Sequence, residues 1–216
     1  MRDGIIQKIL DKKVIAIVRG YTEQECVDLA KALYAGGVEL MEVTFDQKSQ
    51  QEREKTVRIL KKLNEELGDK MCFGAGTVTT VEMVEMARSG GAKFIISPDM
   101  DPEVIRATRQ AGMVSIPGVL TPTEMKQAHA CGADFVKVFP ASTMGPAYFK
   151  AVAAPLSNIR MLAVGGVDNH TVQDYLKAGA VGAGVASCLF RKEWIRAGQW
   201  ENIIEATKTF VALVEN

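Results

Sequence analysis

The sequence predicts an α/β fold, a single (β/α)8 TIM barrel over residues 1–216 with an N-terminal helix. Three observations carry that expectation. Short apolar strands recur eight times along the chain, at intervals of roughly 20 to 30 residues that suit βαβ units. Helical patterns fill the intervals, and several end on a glycine, which suits the turn that closes a helix. The strands lack a regular polar alternation, as expected of a parallel sheet covered on both faces.

Taken in order, Val14–Val18 is the first strand, and Gly37 opens the second, Val38–Thr44. The third is Met71–Ala75, and the fourth, Lys93–Ser97, follows Gly91-Ala92. Gly112 precedes the fifth, Met113–Ile116, and Gly132-Ala133 precede the sixth, Asp134–Pro140. Arg160–Val164 is the seventh, and Gly179-Ala180 lead into the eighth, Val181–Val185. Thr123–Ala130 typifies the helical pattern between them. A doubly wound sheet is the structural alternative. Its dinucleotide fingerprint fails, because Gly74-Ala75-Gly76 is followed by Thr79 at the third glycine position. No linker or low-complexity stretch divides the chain.

Composition narrows the function. The chain is 47% hydrophobic and 24% charged, ordinary for a globular protein, and 26 basic residues balance 26 acidic ones. That balance argues against a general nucleic-acid or anionic-membrane binder. The start, Met1-Arg2-Asp3-Gly4, has no signal-peptide core, and no apolar run is long enough to span a bilayer, so a cytoplasmic location is expected. Cys26, Cys72, Cys131 and Cys188 are scattered and read as reduced core residues. The two histidines, His129 and His170, have no partner at ligand spacing, so no histidine-based metal site is expected. A magnesium site made of carboxylates and phosphate stays open.

Two ionisable residues sit inside apolar strands. Lys137 interrupts Phe135-Val136-Lys137-Val138-Phe139. A buried ammonium loses several kcal/mol of hydration, so such a lysine is paired, faces a wet cavity or turns neutral. A neutral lysine is an amine nucleophile able to form a Schiff base; the plain alternative is a strand-end lysine that snorkels to solvent. Glu42 lies within Leu40-Met41-Glu42-Val43-Thr44, sharing a face with Leu40 and Thr44. If both faces point into the barrel, Glu42 and Lys137 meet in its upper lumen, as a catalytic pair or a structural ion pair. Other strand ends carry Arg19, Thr77, Pro98, Gly165-Gly166 and Ser187, where a barrel collects its chemistry. Gly165-Gly166, ahead of the helix-like Thr171–Tyr175, lets backbone N–H groups approach an anion, and a helix dipole would add to it. The pair equally suits a tight turn.

The ordered motifs Glu42-Val43-Thr44, Gly74-Ala75-Gly76-Thr77-Val78, Ile96-Ser97-Pro98, Ile116-Pro117-Gly118, Lys137-Val138-Phe139-Pro140-Ala141 and Gly165-Gly166-Val167 resemble those of the 2-keto-3-deoxy-6-phosphogluconate (KDPG) aldolases. That family includes the 4-hydroxy-2-oxoglutarate (KHG) aldolases, and the resemblance runs from the first strand to the eighth. It implies a homotrimeric class I aldolase acting on a keto acid without metal or organic cofactor. Lys137 matches the Schiff-base lysine and Glu42 the general acid–base residue. Thr77 matches a contact to the substrate carboxylate, Pro98 a pocket wall, and Gly165, Gly166 and Ser187 the phosphate site.

Two positions depart from the family pattern. Asp46 stands where many members place an arginine that grips the substrate carboxylate. Either Asp46 turns outward and Arg19 supplies the charge, or the substrate differs. Val164 precedes Gly165 where members can carry a threonine, removing a hydroxyl near the phosphate pocket. The expected reaction is cleavage of a 2-keto-3-deoxy sugar acid, foremost KDPG, to pyruvate and glyceraldehyde 3-phosphate. The alternatives are KHG or an isomeric keto-deoxy-phosphosugar acid, a phosphate-binding isomerase barrel with an electrostatic Lys137, and a non-catalytic ligand-binding barrel.

Overall fold

Helix α1 (Arg2–Lys12) closes one end of the molecule, with Ile9 fully buried and Ile5, Ile6 and Leu10 packed beside it. The computed structural model describes residues 2–215; Met1 and Asn216, the two ends of the expected domain, lie outside the described residues. A parallel sheet follows, of β1 (Val14–Val18), β2 (Leu40–Thr44), β3 (Cys72–Gly76), β4 (Phe94–Ile96), β5 (Val114–Ile116), β6 (Gly118–Val119), β7 (Val136–Val138), β8 (Met161–Val164) and β9 (Ala180–Val185). Their order is β5-β4-β3-β2-β1-β9-β8-β7-β6.

The nine segments are the eight expected strands. β5 and β6 are halves of one strand broken at Pro117, which has no N–H to give a ladder. The first half pairs with β4 and the second with β7, so this strand closes the barrel. At the break, Lys137 N–H donates to Pro117 O at 2.8 Å.

Helices α2 (Glu23–Ala35), α3 (Gln50–Leu67), α4 (Val81–Ser89), α5 (Pro102–Gln110), α6 (Pro122–Ala130), α7 (Ala141–Ala153) and α8 (Val172–Lys177) connect the strands, and α9 (Lys192–Arg196) and α10 (Trp200–Glu215) follow the last. Their starts follow from local chemistry: Thr22, Ser49, Thr80 and Thr121 each accept a backbone N–H three residues on. The glycines expected to close helices, at 37, 91, 112, 132 and 179, all have positive φ. No helix of the described residues is long and apolar enough to cross a membrane.

Two concentric apolar layers result. Outer side chains such as Met41, Val43 and Val138 pack under the helices. Inner ones fill the lumen: Ile15, Leu40, Phe94, Ile116, Phe135 and Leu162, with Ile9 as the plug. Each contributes about 1.5–3 kcal/mol by burial. Gly74 leaves the lumen space that the Phe94 ring occupies, since a Cβ there would lie 2.6 Å from its Cγ. At the plugged end, the Asp134 side chain, 5% exposed, accepts from Arg2 at 2.6 Å, Arg109 at 2.7 Å and the Ser115 N–H at 3.0 Å. The apolar filling stops one layer below the other end, and there the polar residues begin.

Candidate active site

Lys137 is the middle residue of β7, level with Gly118 on one side and Leu162 on the other. Val136 and Val138 face outward, so alternation turns Lys137 inward, above Phe135. It is 9% exposed, and its Nζ lies 4.6 Å from the centre of the Phe139 ring. Burial pulls its pKa below the ordinary lysine value and nearby Arg19 adds to that, against the opposing pull of Glu42. The snorkelling alternative fails on that burial.

Glu42 comes from β2, level with Ile17 of β1 and Gly74 of β3. It is 2% exposed, and its Oε2 accepts no hydrogen bond from the described residues. Burial pushes its pKa up to about 7, although Lys137 and Arg19 both favour the charged form. Among the described residues no ion pair within 4.0 Å joins Glu42 to Lys137. They face one space without neutralising each other, which disfavours the purely structural pair. Gly76 makes this possible: a Cβ there would overlap the Glu42 carboxyl and lie 2.7 Å from its Cγ.

Thr77 caps β3 with φ 58°, a left-handed conformation that costs a β-branched residue about 1–3 kcal/mol. Two side chains hold it. Arg19, at the end of β1, donates from Nη2 to Thr77 Oγ1 at 3.0 Å, and Gln47 donates from Nε2 to Thr77 O at 2.7 Å. Asp46 turns away from the cavity of Lys137, as the first of the two alternatives requires of it: its Oδ1 accepts from Lys48 N–H at 2.8 Å. Gln47 and Phe139 were not singled out from sequence. Phe139 lies two residues from Lys137 on the same strand face, a signal the sequence does carry. A glutamine in a polar loop carries none.

Gly165 and Gly166 follow β8 with φ 92° and 76°. A Cβ on Gly165 would lie 3.0 Å from the Phe139 ring, and one on Gly166 would lie 2.5 Å from Ser142 Cβ. Val164 lines the cavity beside them, and Ser187 begins the turn after β9. Helix α8, the source of the dipole expected behind the glycines, starts at Val172. The Asp168 carboxylate accepts from the N–H groups of His170 and Thr171 ahead of α8, at 3.0 and 3.1 Å. These bonds close the turn between the glycine pair and α8, whose own first N–H groups receive no side-chain cap.

One cavity of about 410 Å³ gathers these groups. Glu42 and Lys137 form its floor, with Thr77 and Gly165 half-buried above them. Arg19, Pro98, Gly166 and Ser187 form its exposed mouth, so every site residue expected from sequence lines the same space. A second cavity of about 420 Å³ lies beyond Arg19, against α3, and contains Asp46 and Gln47 but neither Glu42 nor Lys137. The amine and the buried carboxyl make the first the candidate active site. Among the described residues no group of three or more His, Cys, Asp or Glu could hold a metal ion.

A family model described as KDPG and KHG aldolase matches residues 5–206. A 2-dehydro-3-deoxy-6-phosphogalactonate aldolase of Escherichia coli K12 is 37% identical over 82% of this chain and 84% of its own. A 2-dehydro-3-deoxy-phosphogluconate aldolase of Treponema pallidum is 32% identical over 94% and 93%. Among solved structures, a KDPG aldolase from Legionella pneumophila, with pyruvate captured at low pH as a covalent carbinolamine, superposes with a TM-score of 0.82. It is 25% identical, over 96% of this chain and 97% of that one.

Proposed function

The chain belongs to the KDPG and KHG aldolase family, and on that premise we propose that it cleaves KDPG to pyruvate and glyceraldehyde 3-phosphate through a Schiff base on Lys137. One observation carries the reading: a buried amine with a lowered pKa shares a cavity with a fully buried carboxyl, and the two are not ion-paired. The carbinolamine captured in the Legionella pneumophila relative supports covalent chemistry of this type.

The steps follow from the two groups. Lys137 Nζ adds to the C2 ketone, giving a carbinolamine. Glu42, through a water molecule, protonates its hydroxyl, which leaves as water and yields the iminium. The Glu42 carboxylate then takes the C4 hydroxyl proton, the C3–C4 bonding pair moves toward the iminium, and the aldehyde departs. The enamine that remains takes a proton at C3 from Glu42, and hydrolysis frees pyruvate and the Lys137 amine. A carboxyl with a pKa of about 7 has both forms at hand near neutrality. Arg19 and Thr77 hold the C1 carboxylate, Pro98 forms a wall, and Gly165, Gly166 and Ser187 receive the phosphate.

A second substrate has a specific observation in its favour. The Escherichia coli relative at 37% identity is named for the phosphogalactonate acid, the C4 epimer of KDPG. Cleavage turns C4 into the aldehyde carbon, so both epimers give the same two products. The apolar Val164 beside the glycine pair offers no hydroxyl to distinguish them. This reading also carries a homotrimer in the cytoplasm. Exposed Val81 and Leu120 are apolar surface that assembly would cover, and the four cysteines are free thiols.

Borohydride reduction in the presence of pyruvate, followed by peptide mapping, tests the imine. A reduced adduct on Lys137 is expected, and its absence under turnover conditions would sink the mechanism. Comparing kcat/KM for KDPG, its C4 epimer and the dephosphorylated acids then ranks the substrates; equal values with and without phosphate remove the phosphate site. Sedimentation at three times the chain mass is expected for the trimer, and any other mass overturns it.

A further inference from the structure

Gln47 lies in the loop between β2 and α3, outside the catalytic cavity, yet it is bonded to a residue that lines it. The backbone ladder between β2 and β3 ends where Phe45 N–H donates to Gly76 O at 2.8 Å. The Gln47 amide takes up the next carbonyl, Thr77 O, at 2.7 Å. Its Nε2 also lies 3.9 Å from Met83 Sδ on α4, so one amide ties the β2–α3 loop to the end of β3 and the start of α4. Thr77 needs such a tie. At φ 58° its main chain is held against its own preference, while its hydroxyl must face Arg19 and the cavity. Arg19 fixes the side chain and Gln47 fixes the main chain.

We infer that Gln47 is a positioning residue for substrate recognition: it locks the left-handed Thr77 so that the Thr77–Arg19 pair presents a fixed carboxylate-binding surface. The inference rests on the aldolase reading for the identity of the group that Thr77 holds. It assigns to the residue beside Asp46 a part in carboxylate binding in a chain whose Asp46 points elsewhere.

The C1 carboxylate does not react, and its contacts are the same before and during C3–C4 cleavage. Loosening them weakens ground state and transition state alike, so the loss falls on KM. Two near-isosteric variants remove the donor. Gln47→Met keeps length and shape without a hydrogen bond, and Gln47→Glu sets an acceptor against the carbonyl. For each, KM for the cleaved acid is expected to rise about five- to tenfold, with kcat within about twofold of wild type. Because Gln47 is exposed, the melting temperature is expected to stay within about 2 °C. Lys137 in each variant is still expected to be reduced onto pyruvate by borohydride at saturating pyruvate. An unchanged KM, a loss confined to kcat, or a KM rise that tracks a fall in melting temperature each overturns the inference. A wild-type protein that forms no pyruvate adduct overturns instead the aldolase reading beneath it, and the trapping experiment on wild type is therefore run first.

Discussion

Replacing Gly76 by alanine places one methyl group where the Glu42 carboxyl now lies. The backbone accepts the change, because Gly76 is an ordinary β residue with no positive φ. The space does not. The added Cβ would overlap the carboxyl and stand 2.7 Å from Glu42 Cγ. Carbon atoms rest at about 3.5–4.0 Å, so Cγ alone must retreat by about 0.8 Å and the carboxyl beyond it by more. Misplacing a catalytic group by about 1 Å costs roughly a hundredfold, and a lost general acid–base costs about 10²–10⁴. Gly76→Ala is therefore expected to lower kcat by about 10²–10⁴, with overpacking costing about 1–3 kcal/mol of stability. Cleavage followed by pyruvate release gives kcat, and denaturant unfolding gives the stability. The cycle with Glu42→Ala isolates the cause: if both changes act through one carboxyl, the double variant is no slower than Glu42→Ala alone. A folded Gly76→Ala protein with kcat within about threefold of wild type would refute the placement of Glu42 in the reaction.

Lys137→Met removes the nucleophile and replaces a buried ammonium by an apolar chain of similar length; turnover and the borohydride adduct should vanish, while the protein should remain folded, as urea unfolding checks. The Glu42 carboxyl has an unperturbed pKa of 4.5, and burial pushes it up to about 7 in the folded protein. Its folded pKa is raised, so its contribution to stability is complete below pH 4.5 and is lost as pH rises through 7, by about 3 kcal/mol in all. Glu42→Gln should abolish that pH dependence, melting above wild type at pH 8, and should remove the acid limb near 7 from the kcat profile; an unaltered limb assigns it to another group. Asp134→Ala takes the shared carboxylate from Arg109, from the Ser115 N–H and from Arg2, which keeps Asp3 at 3.5 Å; this should cost about 1–3 kcal/mol in urea unfolding yet leave kcat of the folded protein within about threefold.

Much of this was legible before any coordinates. Strand spacing, strand composition and helix-closing glycines are local signals, each contained within a few residues, and they set the eight-unit barrel. In a barrel, strand ends converge, so Arg19, Glu42, Thr77, Pro98, Lys137, Gly165, Gly166 and Ser187 could be expected around one opening, and they line one cavity. The break at Pro117 was written in the chain as a proline within an apolar run, but not that its two halves serve different neighbours.

What tertiary structure alone decided concerns contacts between strands and the directions of loop side chains. No local pattern says that Gly76 is vacant for the benefit of Glu42 on the neighbouring strand, because that follows from the register between β2 and β3. Likewise Asp46 could have faced the cavity until its own loop took its carboxylate, and Gln47 had no marked role until Thr77 adopted a conformation that needed holding. Lys137 shows the division most clearly. Sequence put a lysine in a buried strand and named its chemistry; its pKa is set by how much water the closed barrel leaves around it and by Glu42 and Arg19 on other strands. Hydration and charge act through space, and the order of residues fixes that space only once the sheet has closed.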